Sequence, residues 1–450
     1  MSSRTYHTQK ALPEQVLGQM SDPQWQEIIT LLPADASQQA FTHHAFCRAN
    51  GLRCPMDLLR GILASVFCFG SYREVGAWAK STGLSCNGAR SWAKRTRQAD
   101  GWLLWMVQRQ LVSGQAEDAF SVPTGFRGQI HLVDATHLRT WKRNGESRRL
   151  HCSYNLLEKR LEQVVLTDHH VGEGLKHFQG QPGDIFVGDR AYCRRQGLLD
   201  QLDAGVDVVT RLHWSSTPLL QDDGTTPFDL SGWLKQREAT GEGEINVVIQ
   251  VRQRQRSMRL VALRLREAAA KRAQRKRKAT ARKNGRTSQA LTIQVADWLL
   301  VLTSLPQEQW PAEQVLCLYR ARWQIELLFK RIKQLVRLHR LRSENLQSNQ
   351  AVLAAMLLGW ILLEQQASRL RACMQADCSE AVGGPVSSWA LCAMLVQSLR
   401  TMIVGLWTWS QIRGSLGPMK ALLTPHPQQR PHQATERAEY LAQILGWSLS

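Results

Sequence analysis

Tyr319-Arg-Ala-Arg322-Trp-Gln-Ile-Glu326-Leu-Leu-Phe-Lys330-Arg-Ile-Lys333 is the stretch whose reading decides the fold. At about 100° per residue, Tyr319, Arg322, Glu326, Lys330, Lys333 and Arg337 fall within a face of roughly 60° of one helix. Ile325, Leu328, Phe329, Ile332, Leu335 and Val336 take the other side. One carboxylate therefore stands in a row of cations beside an apolar seam that would pack on a core. A metal-binding acid next to a phosphate backbone has this pattern. A solvated helix with Glu and Lys four residues apart has it too, for a few tenths of a kcal/mol. The stretch alone does not choose between them.

Two upstream segments do. Gln129-Ile-His-Leu-Val-Asp134 is short and β-prone and follows the turn-like Pro123-Thr-Gly125, so it reads as a buried strand with Asp134 at or near its end. Gly183-Asp-Ile-Phe-Val-Gly188-Asp189 repeats the design. Between them lie two further β-prone runs, Arg149–Tyr154 and Leu161–Thr167, and a short helix through Leu175 and Phe178. A helix through Leu198, Leu199 and Leu202 and the strand Asp207–Leu212 follow. Three strands, helix, strand, helix, strand is the order of a ribonuclease-H-like core. Such a core presents Asp134 and Asp189 on strands and Glu326 on a helix, an all-oxygen set suited to Mg²⁺ or Mn²⁺.

The tyrosine, two residues, arginine, three residues, glutamate, six residues, lysine spacing is met without departure by Tyr319, Arg322, Glu326 and Lys333. It resembles the YREK signature of the DDE transposases of the fourth insertion-sequence family, the bacterial cut-and-paste group. The segments Asp134-Ala-Thr136-His-Leu138 and Asp189-Arg190-Ala-Tyr192 look like that family's two aspartate motifs, and the resemblance covers roughly residues 55 to 345. It implies catalysis by Asp134, Asp189 and Glu326 with two Mg²⁺ ions, Mn²⁺ substituting. It further implies double-stranded DNA partners (the element's terminal inverted repeats and the target), excision through DNA hairpins, strand transfer and a homodimer on paired ends. Tyr319, Arg322 and Lys333 would grip phosphate, with Lys330, Arg190, Arg211 and Arg342 in the same DNA-contacting set. Trp298 stands where a flipped base would stack; a strand residue packed in the core accounts for it equally well.

The fold class expected is α/β: a ribonuclease-H-like catalytic core (119–212 and 298–345) interrupted by a mainly β insertion (213–297), with helical N-terminal (1–118) and C-terminal (346–450) regions. Asp189 and Glu326 are 137 positions apart (326 − 189), far more than the core needs. The surplus holds the alternating runs Glu244–Val251 and Ser257–Leu263, read as antiparallel strands. A net charge of +20 and a pI near 10.0 call for a polyanionic partner. Fifteen basic residues lie between Arg252 and Arg286 against Glu267 alone, so this run carries +14 of the +20. Ala268–Ser288 reads as a solvated, partly disordered loop.

Near the N-terminus, Tyr72–Ser85 and Ala89–Arg95 read as helix, Gly-containing turn and helix, with Ser85 as N-cap and Arg90, Lys94 and Arg95 offered to DNA. A plain helical bundle explains the same spacing. The apolar run Ala351–Leu363 is too short for a membrane span, and the C-terminal helices should pack on the core or on a second subunit. Pro425–Gln433 reads as a linker. Ten scattered cysteines without a C-x-x-C pair read as small core residues of a reducing, bacterial cytoplasm, beside the nucleoid, and no signal peptide or membrane is expected. Asp168-His169-His170 offers metal-ligand types but follows a strand and reads as a polar turn. A catalytically inactive DNA-binding derivative, or a ribonuclease-H-like nuclease without transposition, are the competing readings.

Overall fold

The structure, a computed structural model, describes residues 22–113, 126–140, 147–158, 160–285, 287, 289–336, 340–341, 345–376 and 388–405. Arg286, Arg337, Arg342 and Pro425–Gln433 lie outside them. The chain divides into two compact units. The first takes in the described parts of Met1–Val107, Gln350–Gly359 and Met394–Ser450, the second those of Gln108–Asn349 and Trp360–Ala393.

In the first unit, α1 (Pro23–Thr30) and α2 (Ala36–Thr42) precede α3 (Pro55–Phe67), every residue of which is buried. A helix that is apolar on all sides has to be enclosed on all sides. Its Gly61 lies flat against Trp92: a Cβ there would stand 2.1 Å from the indole ring. Arg60, also enclosed, donates to the Ile403 carbonyl at 2.6 Å and pairs with Asp22 at 2.5 Å, so its charge is compensated. α4 (Tyr72–Ser81) starts with a full capping box between Ser71 and Glu74. α5 (Ala89–Gln98) follows it, an order that the helix-turn-helix and the plain bundle readings share, and α6 (Asp100–Ser113) comes next along the chain. The cap of α5 differs from expectation: Gly88 occupies it without a side-chain bond, and Ser85 instead accepts from the Asn87 amide at 3.1 Å, tightening the turn. Replacing Gly61 by alanine is expected to lower unfolding stability by about 1–3 kcal/mol through overpacking against Trp92, read by chemical denaturation.

The second unit is built on one mixed sheet. Its strands are β1 (Ile130–Thr140), β2 (Ser147–Asn155), β3 (Arg160–Asp168), β4 (Ile185–Gly188), β5 (Asp207–Arg211), β6 (Glu242–Val251), β7 (Arg254–Arg264), β8 (Trp298–Thr303) and β9 (Arg340–Leu341). The order is β3-β2-β1-β4-β5-β8-β7-β6, with β9 against the far half of β1. β1, β4 and β5 are mutually parallel and the β2–β3 hairpin is antiparallel, compatible with a ribonuclease-H-like core. β1 is longer than expected. It runs on through Thr140 because β2 pairs with it as far as Arg139↔Ser147, so Asp134 sits in mid-strand rather than at the strand end.

The β6–β7 hairpin extends the same sheet through β8, turning at Arg252 in the left-handed region (φ 54°). Helices α7 (Arg195–Asp203), α8 (Leu230–Gln236) and α10 (Ala290–Ala296) complete this side. The expected loop at 268–288 is instead α9 (Glu267–Lys283). Alanine, lysine, arginine and glutamine are strong helix formers, and Glu267 in the first turn with Arg282 and Lys283 in the last suits the macrodipole. The basic run is also partly neutralised: Arg254 pairs with Asp200 (3.0 Å) and Asp203 (2.5 Å), Arg256 with Asp203 (2.6 Å) and Arg259 with Glu244 (2.5 Å).

α13 (Leu346–Ala376) joins the expected short apolar run into one helix of 31 residues. It is long and apolar enough to cross a membrane, yet 78% of its most apolar window is buried within the protein, as in a core helix. α14 (Ser388–Val404) follows. The cysteine expectation fails in part: Cys152, Cys193 and Cys392 are buried, but Cys47, Cys54, Cys86 and Cys317 are exposed, and all eight described thiols are free.

At the start of β1, three residues before Asp134, His131 is enclosed between two carboxylates, Nδ1 to Glu162 at 2.7 Å and Nε2 to Asp184 at 3.1 Å. Burial opposes its charge, but the hydrogen bonds and charges of Asp184 and Glu162 outweigh burial and raise it to about 9. Asp184 also accepts the Gln129 and Gln181 amides, tying β1, β3 and β4 together. A histidine raised above its unfolded value contributes stability that is complete below about 6.5 and disappears as pH rises through 9. His131→Gln is therefore expected to cost about 3 kcal/mol at pH 7 and much less at pH 10, measured by urea denaturation at both.

Candidate active site

The parallel register Val133↔Gly188 places the next residues, Asp134 and Asp189, side by side on neighbouring chains. Each carboxylate has one oxygen held by a backbone amide: Asp134 Oδ1 accepts from Ala135 (2.8 Å) and Asp189 Oδ1 from Ala191 (2.7 Å). That leaves the other oxygen of each for a further partner. α11 (Ala312–Ala321) and α12 (Trp323–Arg331) bring the third acid. α12 packs on β1 through Ile325, Leu328 and Phe329, all buried as the sequence pattern required, and turns Glu326 toward Asp134. A cleft of about 380 Å³ is lined by Asp134, Thr136, Glu326, Phe329, Lys330 and Lys333 among others.

The row of polar residues is gathered, but not by one continuous helix. Arg322 ends α11 and begins α12, and after Arg331 the chain widens into a π-helical turn, Ile332–Val336. The break lets Arg322 serve several groups at once. Its Nη2 pairs with Glu326 Oε1 at 2.6 Å, its Nη1 lies 4.0 Å from Asp134 Oδ2, and its guanidinium rests over the Tyr319 ring at 5.7 Å. Such a cation holds two acids near each other while nothing else neutralises them. Lys333 is lowered by burial, with the Asp134 charge opposing, which places it beside the same carboxylate.

One residue of the site went unnoticed in the sequence. Glu173 is raised by burial and by the charge of Asp189, and adds its own charge to Asp134 while Arg149 stands 3.8 Å away. It follows a turn and belongs to no motif, so no spacing signalled it. Tyr192, within the second aspartate motif, is fully enclosed, and its hydroxyl has no hydrogen-bond partner among the described residues. Burial and the charges of Asp134, Glu173 and Asp189 hold its phenol protonated. Burial likewise pushes the Asp134 carboxyl up to about 7; the Ala135 amide and Arg322 oppose this, while Asp189 and Glu173 add to it. Arg322 offsets this crowding of acids only in part, and all-carboxylate donors suit a hard divalent ion.

The remaining expected residues are distributed unevenly. Arg190 directly follows Asp189, and Arg211 ends β5 on the adjoining strand. Trp298 is 2% exposed, enclosed in the core with Trp233, Leu260 and Leu300, so neither face of its ring is open to a base in this conformation. Arg90 and Lys94 are exposed on α5. Arg95 is turned inward instead, donating to the carbonyls of Arg48, Ala49 and Asn50, because Phe46 and the preceding loop cover that side of the helix. Arg342 lies outside the described residues. Asp168, His169 and His170 bring ligand atoms within 4.8 Å, but Asp168 pairs with Arg148 at 2.9 Å and accepts the His170 amide, as a polar turn would.

Acids from two parallel strands and a covering helix, walled by cations, agree with what the comparisons with known proteins show. The chain belongs to the DDE transposase family: the family described as "Transposase DDE domain" matches residues 125–362, over half of the chain, and includes all three acids. Among similar proteins, the transposase for insertion sequence element IS421 of Escherichia coli is 29% identical over 353 residues, 76% of this chain and 94% of that protein. The putative transposase InsL for insertion sequence element IS186A of Escherichia coli strain K12 is 30% identical over 352 residues, with the same coverage.

Because Asp134 binds its proton more tightly folded than unfolded, its ionisation costs metal-free protein stability as pH rises from about 4 toward 7. Asp134→Asn is expected to raise Tm in EDTA by several degrees at pH 8 and by less at pH 5. Mg²⁺ should raise the Tm of the parent and leave the variant unchanged, both read by differential scanning calorimetry.

Proposed function

We propose that this transposase binds the terminal inverted repeats of its own insertion element as double-stranded DNA, cuts at their ends, and joins the freed ends to target DNA. The relatives' names support the insertion-element assignment. What supports the chemistry is a cleft lined by Asp134, Glu326, Lys330 and Lys333, with Asp189 following the residue that pairs with Val133 in the parallel register beside Asp134. Asp134, Asp189 and Glu326 are the residues that would hold two divalent cations, Mg²⁺ or Mn²⁺. Bound ions would supply an activated attacking oxygen and stabilise the leaving oxygen of a phosphodiester.

The chain's own residues do the rest. Lys330 and Lys333 meet the phosphate that enters the cleft, and Arg322 fixes the Glu326 carboxylate while Tyr319 supports the Arg322 plane. In the first cut a water oxygen bonds to phosphorus and the bond to the 3′-oxygen breaks, leaving a 3′-hydroxyl. That hydroxyl oxygen then bonds to a phosphorus of the opposite strand and the flanking DNA leaves as a 3′-hydroxyl, closing a hairpin. Water opens the hairpin, and the regenerated 3′-hydroxyl bonds to a target phosphorus with a target 3′-oxygen leaving. The N-terminal unit contributes Arg90 and Lys94 to recognition of the repeat. The enzyme works as a homodimer on paired ends, in the bacterial cytoplasm beside the nucleoid.

The test is cleavage of a labelled duplex carrying the element's end, with Mg²⁺ or Mn²⁺. The parent is expected to cut at the boundary and give hairpin products. Asp134→Ala, Asp189→Ala and Glu326→Ala are each expected to lower the rate at least a thousandfold while duplex binding in EDTA persists. A parent that binds the ends and cuts with neither metal would be a DNA-binding derivative instead. Cutting without regard to the boundary would make it a nuclease.

A further inference from the structure

The helix that walls the cleft is wound irregularly at its outer end. After Arg331 the segment carrying Glu326 and Lys330 widens into the π turn Ile332–Val336. In a regular α-helix Gln334 would project about 80° away from Glu326, since eight positions at about 100° each make about 800°. A turn closed by i→i+5 bonds advances by less than that at each residue, and so rotates Gln334 back toward the line of Glu326 and Lys330. The lining of the cleft records the result: Gln334 stands there with Glu326, Lys330 and Lys333. Turns of this kind are rare and concentrate at functional sites.

The side chains lining the cleft divide by their chemistry. Asp134 and Glu326 offer oxygen to a cation, and Lys330 and Lys333 can only donate, which suits phosphate. Two uncharged hydrogen-bonding groups remain among the described residues, Thr136 and Gln334. Thr136 is 5% exposed, enclosed on β1, so its hydroxyl is closed to anything as large as a base edge. Gln334 is exposed, and no hydrogen bond to its amide is found among the described residues. A carboxamide presents a donor and an acceptor side by side, whereas a phosphate offers acceptors alone and would leave half of the amide unused. A base edge uses both halves, and the N7 and N6 amino group of adenine are the major-groove match for glutamine.

We infer that Gln334 is a specificity-determining residue that reads one base edge of the bound DNA close to the bond to be cut, with the π turn as the device that aims it. The inference rests on the proposed function for DNA as the substrate. From Glu326 to Gln334 the helix rises about 12 Å at about 1.5 Å per residue. At about 3.4 Å per base step, the base that is read lies within about four base pairs of the reacting phosphorus. Lysines on the same wall set the backbone in register and carry no sequence information; the amide beside them supplies it.

The experiment uses the full chain and labelled duplexes of the element's end, with each of the four bases placed in turn at every position within about four base pairs of the boundary. Affinity is measured in EDTA and cleavage in Mg²⁺. The parent is expected to favour adenine at one of these positions by about tenfold. Gln334→Ala should lose that preference, keep those at the other positions and melt with the parent, because the side chain is exposed. Gln334→Glu, which can only accept, should turn the preference from adenine toward cytosine. Lys330→Ala should weaken every duplex alike, and so would Gln334→Ala if the amide merely propped Lys333. A uniform loss or an unchanged preference in Gln334→Ala, or a parent indifferent to the base throughout this window, overturns the inference. A parent that shows the Gln334-dependent preference in binding and never cuts would sink the proposed chemistry and leave the inference standing; one that binds no end duplex overturns both.

Discussion

Like-charge repulsion among carboxylates is the constraint on which the rest of this protein depends. Burial, with the charges of Asp189 and Glu173 adding to it, pushes the Asp134 carboxyl up to about 7, and a flexible chain would let these groups separate. A sheet prevents it. Backbone hydrogen bonding between β1 and β4 sets the two aspartates in adjacent register, and the His131 triad locks the same strands from below. The cost of crowding the acids is carried by the sheet's cooperative pairing and its buried strands.

Positive charge is apportioned with equal economy of position. Arg322 is set at a helix break, where one guanidinium reaches Glu326, Asp134 and the Tyr319 ring. Lysines 330 and 333 stay on the cleft wall. On β7 the arginines are consumed by α7 acids and by Glu244, which fastens the hairpin to the sheet. On α9 Lys271 pairs with Glu267, while seven further cations of the helix stand against that single acid, so the strong net charge of the chain is concentrated there.

Much of the fold was legible because strand and helix periods are imposed by burial. The apolar seam Ile325, Leu328 and Phe329 packs as its spacing required, and the strand order from β1 to β5 follows the succession of β-prone runs. Errors fell where local preference and long-range pairing disagree. β1 runs past Asp134 because β2 and β9 pair with it, which no feature of Ala135–Thr140 announces. Polar Ala268–Ser288 looks like a solvated loop by composition, though its alanines and cations favour a helix once a surface receives them. Arg95 reads as a DNA contact by spacing and is instead spent on three carbonyls of a distant loop.

The sequence by itself determined the chemistry: the acids Asp134, Asp189 and Glu326, their oxygen donors, and the cations spaced around the third acid. These follow from residue type and short-range periodicity, which are properties of the chain. Only the tertiary structure decided which groups share the site from far away. Glu173 comes to the acids through a turn without a signature, the Tyr192 hydroxyl is enclosed with no partner among the described residues, and Trp298 is enclosed in the core. Charges interact through space and not along the chain, so their company is set by the way strands and helices pack.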